Sequence, residues 1–215
     1  RDSMHPSKSL TLGCLMLLTG NALGAASVDL SISATTHPAA CDIRLDNGGK
    51  VDYGTLQHGD LNPDSSRETL LPPRTIGWQS NCGYAVPIAL QWTDNHQAYG
   101  SHPHGTHYFS MGKDARGAPI GSMELFYGDA TVADGHTVAA ISRPLGSDYW
   151  IANLDGIVDH RFVLAFAAPG TALVGAFASY SGQLSLTTRI APLDSLDRTR
   201  VIQLDGSATV EIIYL

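Results

Sequence analysis

Basic charge is scarce in this 215-residue chain: 13 Lys+Arg stand against 20 Asp+Glu, a net charge of −7, and the basic residues form no cluster. Nucleic acid is therefore excluded as a partner, because neutralising phosphates takes grouped cations. Charged residues of either sign make up only 15% against 43% hydrophobic, which rules out a disordered chain and predicts a large core. Phosphate-binding glycine loops and the dinucleotide fingerprint are missing. A Gly-x-Ser-x-Gly elbow is missing too, so no nucleophile is presented in that form. There is no internal repeat, coiled coil or low-complexity tract, and no long amphipathic helical pattern. The longest apolar run, Leu10 to Leu18, is too short for a permanent membrane anchor. Cysteine is limited to three residues, Cys14, Cys41 and Cys82.

The apolar run has a meaning of its own. Lys8 supplies positive charge ahead of it, and Ala22-Leu23-Gly24-Ala25-Ala26 offers small residues for cleavage, so residues 1–25 read as an export leader. The alternative is a buried hydrophobic helix. Removing the leader removes Cys14 and leaves Cys41 and Cys82, an even pair expected to form a disulfide in an exported chain. The loop it would close holds about 42 residues, which chain entropy values at roughly 4 kcal/mol.

After residue 25 the pattern is one of short β-type runs separated by turn chemistry. Predicted strands are 40–45, 51–56, 74–82, 86–93, 107–111, 122–127, 137–141, 161–167, 177–190, 201–204 and 208–215. Asp46-Asn47-Gly48-Gly49, Pro72-Pro73, Asp134-Gly135, Pro169-Gly170 and Asp205-Gly206 separate several of them. Many short strands at this spacing predict a one-domain, all-β sandwich. Residues 94–106 read as an irregular loop, and residues 142–160 show no period.

The two ends of this β region alternate most cleanly. Ala208, Val210, Ile212 and Tyr214 alternate with Thr209, Glu211, Ile213 and Leu215, which describes a strand with one apolar face. Val28, Leu30 and Ile32 alternate with Asp29, Ser31 and Ser33 at the other end, before Ala34. A strand with a bulky apolar row must be covered, and an absent neighbour in its own fold invites one from another chain.

Taken in order, these segments resemble a pilin-type subunit of the chaperone–usher fimbrial family. The resemblance rests on the leader, the alternating arm Val28 to Ala34, Cys41 in the first strand, Val51-Asp52-Tyr53-Gly54, Cys82, and the last strand with its penultimate Tyr214. Pro38-Ala39-Ala40-Cys41, Ile190-Ala191-Pro192 and Leu204-Asp205-Gly206-Ser207-Ala208 resemble, more narrowly, an uncharacterised branch of fimbrial-like exported proteins. The resemblance implies an incomplete immunoglobulin-like β-sandwich over residues 38–215, with one disulfide, preceded by a donor arm over 26–37. In that family Val28, Leu30 and Ile32 would be the inserted row. The strand carrying Ala208, Val210, Ile212, Tyr214 and Leu215 would border the accepting groove and be recognised by a chaperone, with the Leu215 carboxylate held by basic residues. The partners implied are a periplasmic chaperone, an outer-membrane usher and neighbouring subunits, and the destination is the cell surface. One position departs from the family pattern: where many pilins carry a glycine fourteen residues from the end, this chain has Ile202, and Gly206 lies closer.

Other constellations in the sequence point elsewhere. His96, His102, His104 and His107, with Asp94 nearby, are the only candidate metal ligands, but their spacing fits no helical metal motif, so no metal or other cofactor is expected. Asp155 and Asp159 would serve a glycosidase only at a defined separation, and acidic residues are common in turns, so no catalysis is expected. Trp92, Tyr99, Tyr149 and Trp150 suit sugar stacking, with Tyr149 and Trp150 as the exposed pair, which adds a host glycan to the candidate partners. The competing reading is a stand-alone secreted or periplasmic β-sandwich binding module.

Overall fold

Alternation in the sequence becomes an antiparallel ladder almost throughout the computed structural model, which describes residues 41–96 and 105–215. The leader, the arm with Val28, Leu30 and Ile32, and also Tyr99, His102 and His104 lie outside the described residues.

Two sheets share one long strand. The first runs β4 (Phe109–Ser110), β5 (Gly121–Tyr127), β11 (Ala176–Ile190), β3 (Arg74–Asp94), β1 (Asp42–Leu45). Beside β11 lie β2 (Thr69–Leu70) and β6 (Val132–Ala133), and β6 forms a small hairpin with β7 (His136–Thr137). The second runs β12 (Ala208–Tyr214), β3, β10 (Phe162–Ala167), β8 (Ala139–Pro144), β9 (Ile151–Ala152). The fold is an all-β sandwich, as expected, and Cys41 and Cys82 form its disulfide.

The strands predicted over 74–82 and 86–93 are one strand of 21 residues. Gly83 and Pro87 look like a break in the sequence. The chain instead bends there: Gly83 adopts φ +70° and its N–H donates to Asn81 Oδ1 at 2.9 Å. The bend carries β3 from one sheet into the other, so a single strand pairs with β1 and β11 first and with β12 and β10 later.

Between the sheets, Trp78 stacks on Phe166 at 5.5 Å, and Tyr127 meets Trp78 edge-on at 5.0 Å. Trp92 Nε1 donates to Tyr127 Oη at 3.1 Å, tying the second sheet to the first. Burial holds the Tyr127 phenol far above its usual range, so it remains neutral and can serve that bond.

The second sheet is apolar on its outer face as well. Ala89, Ile141, Val163, Ala165 and Ala167 form a buried cluster there, against which Trp150, Val174 and Ile213 pack. Arg143 lies over the Trp150 ring at 5.1 Å. This explains why residues 142–160 show no period. Trp150 turns back over its own sheet to cover that face, while Val158 enters the core between the sheets and its N–H donates to Leu125 O of β5 at 2.9 Å, so the segment's contacts are set by distance in space and not by position along a strand.

Candidate functional site: a groove beside the last strand

β12 is an edge strand: among the described residues it pairs only with β3, in the register Val210↔Trp92, Ile212↔Leu90 and Tyr214↔Ile88. Its period of two turns Ala208, Val210 and Ile212 toward the core, yet all three remain only partly buried. Tyr214, expected to continue that row, is half exposed. Its hydroxyl instead accepts the Cys41 N–H at 2.7 Å, and Leu215 N donates to Pro87 O at 3.2 Å. The far end of β12 is thereby fastened to the disulfide.

Next to the start of β12 opens a groove of about 800 Å3. Its floor is the inner face of the sandwich, including Ile76, Trp92, Met123, Leu125, Leu184 and Leu186. One wall is the segment predicted as a strand over 51–56, which makes no ladder. Asp52 Oδ1 accepts the Gly54 N–H at 2.7 Å, and Gly54 adopts φ +69°, so the chain turns out of extended geometry. Tyr53 donates to Thr188 Oγ1 at 3.1 Å, with the Arg74 guanidinium 5.3 Å from its ring. The Val51 to Gly54 motif is thus a wall-building turn.

The other wall is residues 198–206, where the strand predicted over 201–204 also fails to pair. Ile202 and Leu204 still point inward, onto the core and onto a smaller cluster of Leu71, Ile190 and Leu196. Gly206 packs closely against two methionines: a Cβ there would stand 2.5 Å from Met111 Sδ and 3.2 Å from Met123 Sδ, so their flexible side chains would have to shift. With glycine the backbone settles on the two methionines without that shift, and Asp205 N donates to Met111 O at 3.2 Å. The groove carries charge at three lining residues, Asp52, Arg198 and Arg200.

The remaining candidates do not assemble into a site. His96 faces Asp205 at 3.5 Å, while His107 faces Glu124 at 3.3 Å, and Arg189 approaches the other Glu124 oxygen at 3.5 Å. The two described histidines of the sequence cluster therefore engage different carboxylates. Asp159 binds Arg161 and Thr106; burial alone would raise its carboxyl, and those hydrogen bonds bring it below the usual range. Trp92 belongs to the core, and Trp150 is laid against its sheet. The expected exposed pair thus reduces to Tyr149 alone, 75% exposed. What sequence reasoning missed was the pair of walls. Both were read as strands because they alternate, and the signal against pairing was the Asp52–Gly54 turn on one side and Gly206 on the other.

The class defined by these features is an all-β, disulfide-bonded sandwich with an apolar groove at one open sheet edge. Within it, the chain belongs to the family described as "Protein of unknown function (DUF1120)", whose model matches residues 30–142, a little over half its length. The match spans Cys41, the Val51 to Gly54 turn and Cys82, and ends within β8. No curated protein matches the chain.

Proposed function

We propose that this protein is an exported structural or adhesive subunit of a chaperone–usher surface fibre, assembled by strand donation between copies. The observation that carries the reading is the partly covered row Ala208, Val210 and Ile212 on a strand that pairs only with β3 among the described residues, with Ala208 at the end of a groove floored by core side chains. Unpaired edge amides beside exposed apolar surface favour a partner strand, which supplies ladder hydrogen bonds and fills alternate pockets. The arm Val28, Leu30 and Ile32 has the matching period. Fully burying such side chains is worth about 1.5–3 kcal/mol each, enough for insertion to matter to a marginally stable fold. A periplasmic chaperone would cover the groove first, an usher would release the subunit, and the arm of a neighbouring subunit would replace the chaperone.

Periplasmic expression with and without the candidate chaperone tests this, alongside a chain carrying Val28→Ser, Leu30→Ser and Ile32→Ser. Soluble subunit only with the chaperone, and polymer lost in the triple variant, is the expected result. A chaperone-independent, cooperatively folding monomer would sink the proposal. In that event the binding-module reading takes over, with Tyr149 beside Asp148 as the surface to test against glycans.

A further inference from the structure

The charge at the mouth of the groove carries an inference about which strand it selects, and this rests on the strand-donation reading. Arg198 and Arg200 line the groove, and both are exposed on its rim. Neither forms an ion pair with a carboxylate among the described residues, whereas Arg116 and Arg189 are committed to Asp114 and Glu124. Hydrogen bonds from Thr199 lead in holding the Asp197 carboxyl below its usual range, with the charges of Arg116 and Arg200 contributing, and the Asp52 carboxylate on the same groove is hydrogen-bonded as well. Asp52 accepts the Gly54 N–H, and Asp197 accepts both the N–H and the hydroxyl of Thr199. Between the two arginines' side of the rim and solvent lies Val201, 97% exposed, an apolar residue with nothing over it among the described residues. The rim is thus cationic and partly apolar.

The arm has the complementary charge. Asp29 is the single carboxylate among residues 26–40, and it sits between Val28 and Leu30. In an extended strand it points opposite to Val28, Leu30 and Ile32. If those three fill the floor, Asp29 faces the mouth, where Arg198 and Arg200 stand. We infer that the groove selects the acidic arm of a second copy of this chain by steering Asp29 to Arg198 and Arg200.

A pair this exposed adds little to equilibrium affinity, because solvent and salt screen it. Its effect falls on the association rate and on discrimination between arms, which long-range charge complementarity controls. The selection is therefore kinetic and salt-dependent.

The test uses the full chain with Val28→Ser, Leu30→Ser and Ile32→Ser as acceptor, so that its own arm is silenced. The probes are a synthetic peptide of residues 26–37 and the same peptide with Asp29→Lys. Trp92 on the groove floor reports insertion by fluorescence, and the thermal midpoint reports complex formation. At low ionic strength the native peptide is expected to insert about ten-fold faster than the Asp29→Lys peptide, with the gap closing in about 1 M salt. In an acceptor that also carries Arg198→Glu and Arg200→Glu, the order of the two peptides should reverse. Equal rates for both peptides on both acceptors would overturn charge selection and leave strand donation standing. Insertion of neither peptide, with an unchanged thermal midpoint, would overturn strand donation itself and this inference with it. If the silenced acceptor does not stay soluble alone, the same comparisons are read as the rate of soluble complex recovered on refolding with each peptide.

Discussion

On the outer face of the second sheet, Trp150 folds back under Arg143 and, with Val174 and Ile213, covers Ala89, Ile141, Val163, Ala165 and Ala167, none more than 1% exposed. At the β12 edge of the same sheet, Ala208, Val210 and Ile212 are covered only in part, and Ala208 borders the groove. Both places present apolar side chains that water penalises. At the first, the chain supplies a tryptophan and a long irregular segment as the cover. At the second, the neighbouring segments form walls on either side and leave the space between them open.

The disulfide offers the largest way to break this contrast. Replacing Cys41 and Cys82 by serine should cost about 2–5 kcal/mol in urea unfolding. Because the Cys41 N–H is bonded to Tyr214, amide exchange should rise more along β12 than along β8 and β9. Equal loosening at both edges would mean that the disulfide does not discriminate between them. Next in size, Trp150→Ala removes the cover of the sealed face and should cost about 2–3 kcal/mol, somewhat less than for a fully buried ring. A loss below about 0.5 kcal/mol would show that Trp150 is not the seal.

On the open edge, Val210→Ser together with Ile212→Ser should cost the free chain less than about 1.5 kcal/mol, since both side chains are only half-covered. The same pair of changes should abolish the rise in thermal midpoint caused by the residue 26–37 peptide. A large loss in the free chain would mean that this row is already covered.

A smaller effect is expected away from both edges. Asp134 accepts hydrogen bonds from Ala178 N, Ser179 N and the Ser179 hydroxyl, at the irregular point of β11 between Phe177 and Ser179. The backbone bond from Ala178 leads in holding its carboxyl below the usual range. A carboxyl depressed in the fold stabilises it above the unfolded value, near pH 4, and that contribution is lost as pH falls through the folded value. Asp134→Asn should therefore lower the thermal midpoint at neutral pH and flatten its decline in acid. A variant whose acid decline matches the parent would remove Asp134 from the account. The smallest effect belongs to Tyr149→Ala, expected to shift stability by no more than about 0.5 kcal/mol because the ring is exposed.

Much of the fold was legible because alternation and turn chemistry are local signals. β5, β10, β11 and β12 fall within a residue or two of their predicted spans, and Cys41 and Cys82 form the disulfide expected of them. The errors share a cause. Residues 51–56 and 201–204 have the right residue types for strands but no ladder partner, and Gly83 with Pro87 marks a bend that pairing carries through. The candidate site was legible as to which strand borders it. Its walls were not, since they depend on Tyr53 reaching Thr188 and on Gly206 resting against Met111 and Met123.

The amino-acid order alone determined the all-β class, the faces of the strands, the cysteine pair and the apolar row of residues 208–214, because each depends on neighbours a few positions away. Only the tertiary structure decided that β3 serves both sheets, that Trp150 covers one outer face, and that, among the described residues, β12 pairs with β3 alone and the two predicted strands near its start make no ladder. A period of two says which way a side chain points. Which strand, if any, lies beside it is settled by contacts between residues far apart in the chain, and those exist only once the two sheets have come together.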